Sequence, residues 1–366
     1  MMGIRAWLAP RAAGPARGDV PRVRRACLLA WGAAAVLWEL ASPASAGPLL
    51  PRLATCAAFL LLATGAALSI RQGLLGELRR TQEIAGAAQR VLLRPLPPRM
   101  DGLALASAQV SASRGASVGG DLYDAVPTAY GVRVVIGDVR GHGLPALAAA
   151  AAVLGSFREA AYDEPTLGGV LRRMERALGR HLRDRSRAEH PAACPAEPDS
   201  PAAEEFVTVL LLEIDADGCL RALNCGHPWP YRLRGPALDG PGRAEPLTGA
   251  ETLPPLGVLP LPDRLPPQLR SRLGPGDSLF LHTDGAADAR DRDGRYFPLR
   301  GALKSAADTA CTPAGLVADV HAALLRHTGG RLADDVALLV VRNDRRLVPA
   351  QPNGQAVCRA ASPHGT

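Results

Sequence analysis

RVVIGDVRGHG, residues 133–143, decides the fold class. Val134, Val135 and Ile136 read as a strand buried on both faces, because a short β-branched run bounded by turn residues packs well on a pleated surface. The run ends at Asp138, after which Gly141 and Gly143 turn the chain. A carboxylate at the end of a buried strand is costly unless it is paired or bound to metal. Three further stretches repeat the pattern: GGDLYD (119–124) with Asp121 and Asp124, HTDGAAD (282–288) with Asp284 and Asp288, and LADDVALLVV (332–341) with Asp334 and Asp335. Any one of them is an ordinary aspartate turn. Together they put several acids at strand ends, where they would repel one another. Divalent cations that prefer oxygen ligands, Mg²⁺ or Mn²⁺, remove that repulsion, and the glycines let the backbone approach an ion closely.

Around these stretches helices and strands alternate. Residues 144–161 form an alanine-rich helix and 167–182 an amphipathic one. Residues 206–215 read as a strand that turns at Asp217-Gly218 into 220–224, a hairpin. Residues 277–283 and 336–342 are further strands, and 312–327 is a helix. Residues 183–205, rich in proline, alanine and charge, read as a mobile loop, and 345–366 as a disordered tail. Hairpins combined with long helices argue for an α+β fold over a doubly wound sheet.

The amino-terminal part differs in character. Residues 1–25 carry six arginines against one aspartate and read as a basic cytoplasmic arm. Residues 26–70 read as a two-span transmembrane hairpin. The first apolar segment, 26–46, is broken by Glu39; the second, 53–70, is uncharged and 18 residues long, against the ~20 needed to cross a bilayer. Arg22, Arg24 and Arg25 before the hairpin and Arg71, Arg79 and Arg80 after it place both ends, and the catalytic domain, on the cytoplasmic side of the cell membrane. Ala44-Ser45-Ala46 leaves a cleaved signal peptide as the other reading of the first segment. Residues 71–98 read as a linker helix closed by the proline turn RPLPP. Its stripe of Leu74, Leu78, Ala85, Ala88 and Leu92 either packs on the following domain or pairs with a second copy in a homodimer.

The net charge of +7 does not indicate nucleic acid, because the excess sits beside apolar segments and aromatics are only 4%. Seven cysteines without paired spacing argue against a disulfide framework or a zinc cluster, and read as reduced. GxxxxGK[ST] and GxSxG do not occur.

GGDLYD, GDVRGHG, NCGHPWP (224–230), GDSLFLHTDGAADARD (276–291) and RLADDVALLVVR (331–342), with the lead-in AAQRVLLRPLPPRMDGL (87–103), resemble the SpoIIE-like branch of the PPM-type, metal-dependent protein serine/threonine phosphatases. The resemblance spans about residues 80–342. It implies a four-layer α-β-β-α sandwich over residues 99–344 with a dimetal site, two Mn²⁺ or Mg²⁺ ions, at one end of the packed sheets. Asp121 would bind or bridge both ions. Asp138, the carbonyl of Val139, Asp284 and Asp334 would be the other ligands. Gly120, His142 and Asp335 would lie around the ligands without touching the ions, and Asp124 behind them or at the surface. The implied reaction is direct hydrolysis of phosphoserine or phosphothreonine by an activated water, and the implied substrate is a phosphorylated signalling protein such as an anti-sigma-factor antagonist. His142 and His227 each allow an acid–base role or simple capping of a turn. Two departures stand out. Ala286-Ala287-Asp288 follows TDG where the family often has a bulky apolar residue and Glu, and the 183–205 loop is long. A non-catalytic, membrane-tethered binding module of the same fold is the alternative, and the four intact acids weigh against it.

Overall fold

The computed structural model describes residues 49–110, 119–189, 205–235, 242–249, 251–310 and 312–345. The basic arm, the expected first span and the tail from residue 346 lie outside them. The chain divides into two compact units, residues 1–80 and 81–366.

Leu49–Leu92 form a single helix of 44 residues, α1. The sequence separates a span ending at 70 from a linker starting at 71; the structure has no break there. Gly73 and Gly86 lie inside the helix, since about 1 kcal/mol each is too little to stop so long a run. Its last twelve residues, 81–92, belong to the second unit. There Ala85, Gln89 and Leu93 are buried, while Ala88, expected on the packed stripe, is exposed. The buried face is rotated toward Gln89, and Leu92 packs with Ala85 and Leu147.

Among the described residues eleven strands build two sheets in the second unit, every pair antiparallel. They are β1 (Arg99–Met100), β2 (Leu103–Val110), β3 (Leu122–Thr128), β4 (Gly131–Val139), β5 (Val207–Ile214), β6 (Cys219–Cys225), β7 (Tyr231–Arg234), β8 (Arg243–Pro246), β9 (Leu269–Arg272), β10 (Ser278–His282) and β11 (Val336–Asn343). One sheet has the order β1-β2-β11-β10-β7-β8 and the other β3-β4-β5-β6-β9. The β5–β6 hairpin turns as the sequence predicts. Gly218 takes a φ of 79°, and Asp215 Oδ1 accepts from the N–H groups of Asp217 and Cys219.

Helices cover both outer faces. α2 (Leu144–Asp163) and α3 (Leu167–Glu189) pack on the five-stranded sheet, and α5 (Leu299–Thr309) and α6 (Pro313–Thr328) on the six-stranded one. The short α4 (Asp284–Asp288) follows β10. The architecture is thus an α-β-β-α sandwich. β11 shows why its sequence lacks alternation. Ala337, Leu339 and Val341 face the core between the sheets, whereas Val336, Leu338 and Val340 face the helix side, so both faces demand apolar residues.

Among the described residues α2 is long and apolar enough to cross a membrane, yet half of it is buried against its sheet, and it is a core helix. α3 continues to Glu189, so residues 183–189 are helical and not loop; residues 190–204 lie outside the described part. Cys219 is disulfide-bonded, which corrects the reading of the cysteines as uniformly reduced. At the start of β4 the fully buried Arg133 binds Glu213 of β5 through two nitrogens, at 2.9 and 2.7 Å, and donates to Ala161 O at 2.8 Å. That pair sits about 17 Å along the strand from Asp138, at ~3.4 Å per residue, and fastens the opposite end of the sandwich.

Candidate metal centre

Antiparallel sheets bring distant aspartates to one end of the sandwich. Asp121 enters β3 and Asp138 lies near the end of β4, both in the five-stranded sheet. Asp284 follows β10, and Asp334 and Asp335 precede β11, in the six-stranded sheet. Asp121 and Asp335 are buried, Asp138 is half-buried, and Asp284 and Asp334 open to solvent.

The acids perturb one another. Burial raises Asp121 well above the usual carboxylate range, and Asp138, Asp335 and Asp334 push it further up, while a hydrogen bond from Thr283 opposes them. Asp138 is raised to about 7 by burial first, then by Asp284, Asp334 and Asp335. Asp284 is raised by burial and by Asp334. Asp138 therefore couples to all four of the others. Among the described residues no arginine, lysine or histidine forms an ion pair with Asp121, Asp138, Asp284 or Asp334.

The backbone around the cluster has no room for side chains. A methyl group at Gly120 would collide with Val139 O and crowd Asp138 Oδ1 at 3.0 Å; one at Gly119 would run into the Asp335 carboxylate, and one at Gly285 into Asp335 O. Val139 N–H donates to Gly120 O at 3.2 Å, which places the Val139 carbonyl against the glycine pair. Asp335 thus lies between Gly119 and Gly285, its carboxylate against the first and its carbonyl against the second. Its N–H donates to Asp334 Oδ1 at 2.8 Å.

Among the described residues no three acid, histidine or cysteine side chains close around one point. Mg²⁺-type ions do not require such a cage, since they keep several waters and take one or two protein carboxylates each. A donor set made only of oxygen, partly buried, lacking a counter-cation and lined by glycines, fits hard divalent ions.

Thr283 was not singled out by the sequence, although it stands in the HTDG stretch. Its hydroxyl donates to Asp121 Oδ2 at 3.3 Å and accepts from Ala337 N–H at 2.9 Å, so it ties the two sheets beneath the acids. Gln89 of α1, also unforeseen, reaches Gly119 O at 3.4 Å. Asp124 lies away from the cluster. It pairs with Arg158 of α2 at 2.5 Å, and Arg158 donates to Leu92 O at 2.8 Å, fastening β3 to α2 and to the end of α1.

His142 is exposed in the glycine turn before α2. His227 is buried; burial and the neighbouring His282 lower it to about 3, so it stays neutral and supplies no proton. His282 is also lowered by burial. Cys225 is pushed up to about 12 by burial and then by Glu175, which leaves no thiolate nucleophile at that position.

Residues 128–344 match the family model described as Stage II sporulation protein E (SpoIIE). The match begins after the Gly119-Gly120-Asp121 segment. The RsbU and RsbW domains of a Mycobacterium tuberculosis protein align at a TM-score of 0.50 and 24% identity, over 68% of this chain and 62% of that one. This chain therefore spans about three fifths of that structure. The SiaA-PP2C domain of Pseudomonas aeruginosa aligns at a TM-score of 0.50 and 16% identity, over 75% of this chain and 98% of that one. The PP2C phosphatase domain with a regulatory fragment of SpoIIE from Bacillus subtilis aligns at 0.48 and 14%, over 67% and 64%. The likeness to the first two of these structures is one of fold alone.

Proposed function

The chain belongs to the SpoIIE family of PPM-type phosphatases, and from that premise we propose that it is a metal-dependent protein serine/threonine phosphatase. One observation carries the reading: five carboxylates from two sheets lie at one end of the sandwich, and Asp121, Asp138 and Asp284 are raised with no ion-paired cation among the described residues.

Asp121, Asp138, Asp284, Asp334 and the Val139 carbonyl would hold two Mn²⁺ or Mg²⁺ ions. Ions bound there would supply the Lewis acidity that makes a water nucleophilic near neutral pH and offsets charge on the phosphoryl oxygens. The chain's own groups do the rest. Gly119 and Gly120 keep the backbone close, Thr283 orients Asp121, and Asp335 fills the space beside Gly119 and Gly285. Open solvent at Asp284 and Asp334 leaves a path for a phosphorylated side chain. The test is Mn²⁺-dependent turnover of p-nitrophenyl phosphate by the chain and by Asp138→Ala. Turnover that survives the substitution rejects the reading.

The substrate we propose is a phosphorylated signalling protein, such as an anti-sigma-factor antagonist, on the strength of family membership. A panel of phosphoproteins separates this from hydrolysis of small phosphoesters. We also place the chain at the cell membrane with the phosphatase domain in the cytoplasm. The uncharged stretch 53–70 and the exposed Leu61, Leu62 and Leu68 support that placement. Exposed Leu74 and Leu75 further along α1 favour pairing with a second copy.

A further inference from the structure

We propose that His227 is a positioning residue that fixes the separation of Asp138 and Asp284 by spanning the two sheets. This rests on the dimetal reading above. Asp121 and Asp138 belong to one sheet, Asp284 and Asp334 to the other. No strand ladder sets their spacing; contacts between the sheets must do so.

His227 is held by its own loop. Asn224 Oδ1 accepts from His227 N–H at 2.8 Å, and Asn224 Nδ2 donates to His227 O at 2.8 Å. The ring thus leaves the loop in a fixed direction. Nδ1 lies 3.0 Å from Thr208 Oγ1. That hydroxyl holds the main chain of Asp138 on both sides: it accepts from Asp138 N–H at 3.3 Å and donates to Asp138 O at 3.4 Å. The Thr208 hydroxyl thus joins the His227 ring to the main chain of Asp138. On its other side the ring lies against the main chain of His282. His282 Nδ1 meets Thr283 O at 3.0 Å, and Asp284 follows directly.

One ring therefore touches the residue that holds Asp138 and the strand end that presents Asp284. The burial is of an uncommon kind. His227 is 4% exposed, and its ring faces the His282 main chain with no well-formed hydrogen bond at Nε2. A leucine would fill this place without an orphaned nitrogen, which costs stability. An imidazole half-satisfied in a core is retained where the satisfied half has a task. Here the Nδ1 contact with Thr208 is that task.

The test uses the full-length chain, calorimetric titration with Mn²⁺, and metal-free thermal melting in parallel. His227→Leu and Thr208→Val should each weaken uptake of Mn²⁺ by about 10- to 100-fold, the range seen when a partner behind a metal ligand is lost. The double variant should be no weaker than either single, because both break one relay. His227→Asn places an amide, able to donate or accept, near the position of Nδ1 and should keep affinity within about threefold, against the 10- to 100-fold loss of the leucine variant. Unchanged Mn²⁺ affinity in His227→Leu, with only a lower melting temperature, would make the residue purely structural and overturn the inference. Losses that simply add would do the same. A native chain that takes up no Mn²⁺ removes the dimetal reading, and this inference with it.

Discussion

Burial and crowding of the acids should give the metal-free protein a pH dependence opposite to that of most folded domains, and Asp138 sets its size. Its carboxyl rises from 3.8 to about 7 on folding. Below pH 3.8 the group is protonated in both states and imposes no cost. As pH climbs from 3.8 to about 7, the unfolded chain releases the proton while the folded one retains it, so stability falls. Above that window the loss is complete. At about 1.4 kcal/mol per pH unit it amounts to on the order of 4 kcal/mol. Asp121, raised by burial and then by Asp138, Asp335 and Asp334, adds in the same direction. The assay is urea unfolding in a chelator across that window, for the native chain and Asp138→Asn. The native chain should lose stability toward neutral pH, and the asparagine variant should lose much less and overtake it there. Saturating Mn²⁺ at neutral pH should restore the native chain, by about 2.7 kcal/mol at one hundred times the dissociation constant, and the variant far less. Metal-free stability that stays level or rises toward pH 7, identically in both proteins, would show that the carboxylates are not forced together and would refute the electrostatic argument.

Other consequences follow from single contacts. Gly120→Ala should cut Mn²⁺ affinity by at least about tenfold in a calorimetric titration, since its methyl meets Val139 O and Asp138 Oδ1. Arg158→Met leaves Asp124 buried without its partner and should lower unfolding free energy by about 1–3 kcal/mol with Mn²⁺ affinity unchanged, which a melt and a titration together resolve. Arg133→Met strands Glu213 beside a single remaining arginine and should cost about 3–5 kcal/mol in urea unfolding. Removing residues 1–70 should leave a soluble, Mn²⁺-dependent hydrolase; precipitation in every buffer would show that the boundary is misplaced.

The sequence by itself determined the parts of this protein that follow from local patterns. β4, β5, β10 and β11 were legible as apolar runs, α2 and α6 as apolar helices, and the 217–218 hairpin turn from Asp-Gly chemistry. The acids Asp121, Asp138, Asp284 and Asp334 were legible because glycine and aspartate at a strand end are locally expensive. β7, β8 and β9 span only four residues each and carry arginines, so their pairing comes from neighbouring strands and not from propensity. The extension of α3 to Glu189 was hidden by its charge, and the unbroken course of α1 by its glycines. Tertiary structure alone decided what each acid does. Asp124 and Asp121 stand three residues apart in one motif, yet one meets Arg158 and the other meets Asp138 and Thr283. Packing across the two sheets makes that choice, because a side chain's partner in space is set by which strands face each other, and no local pattern encodes the distance between sheets.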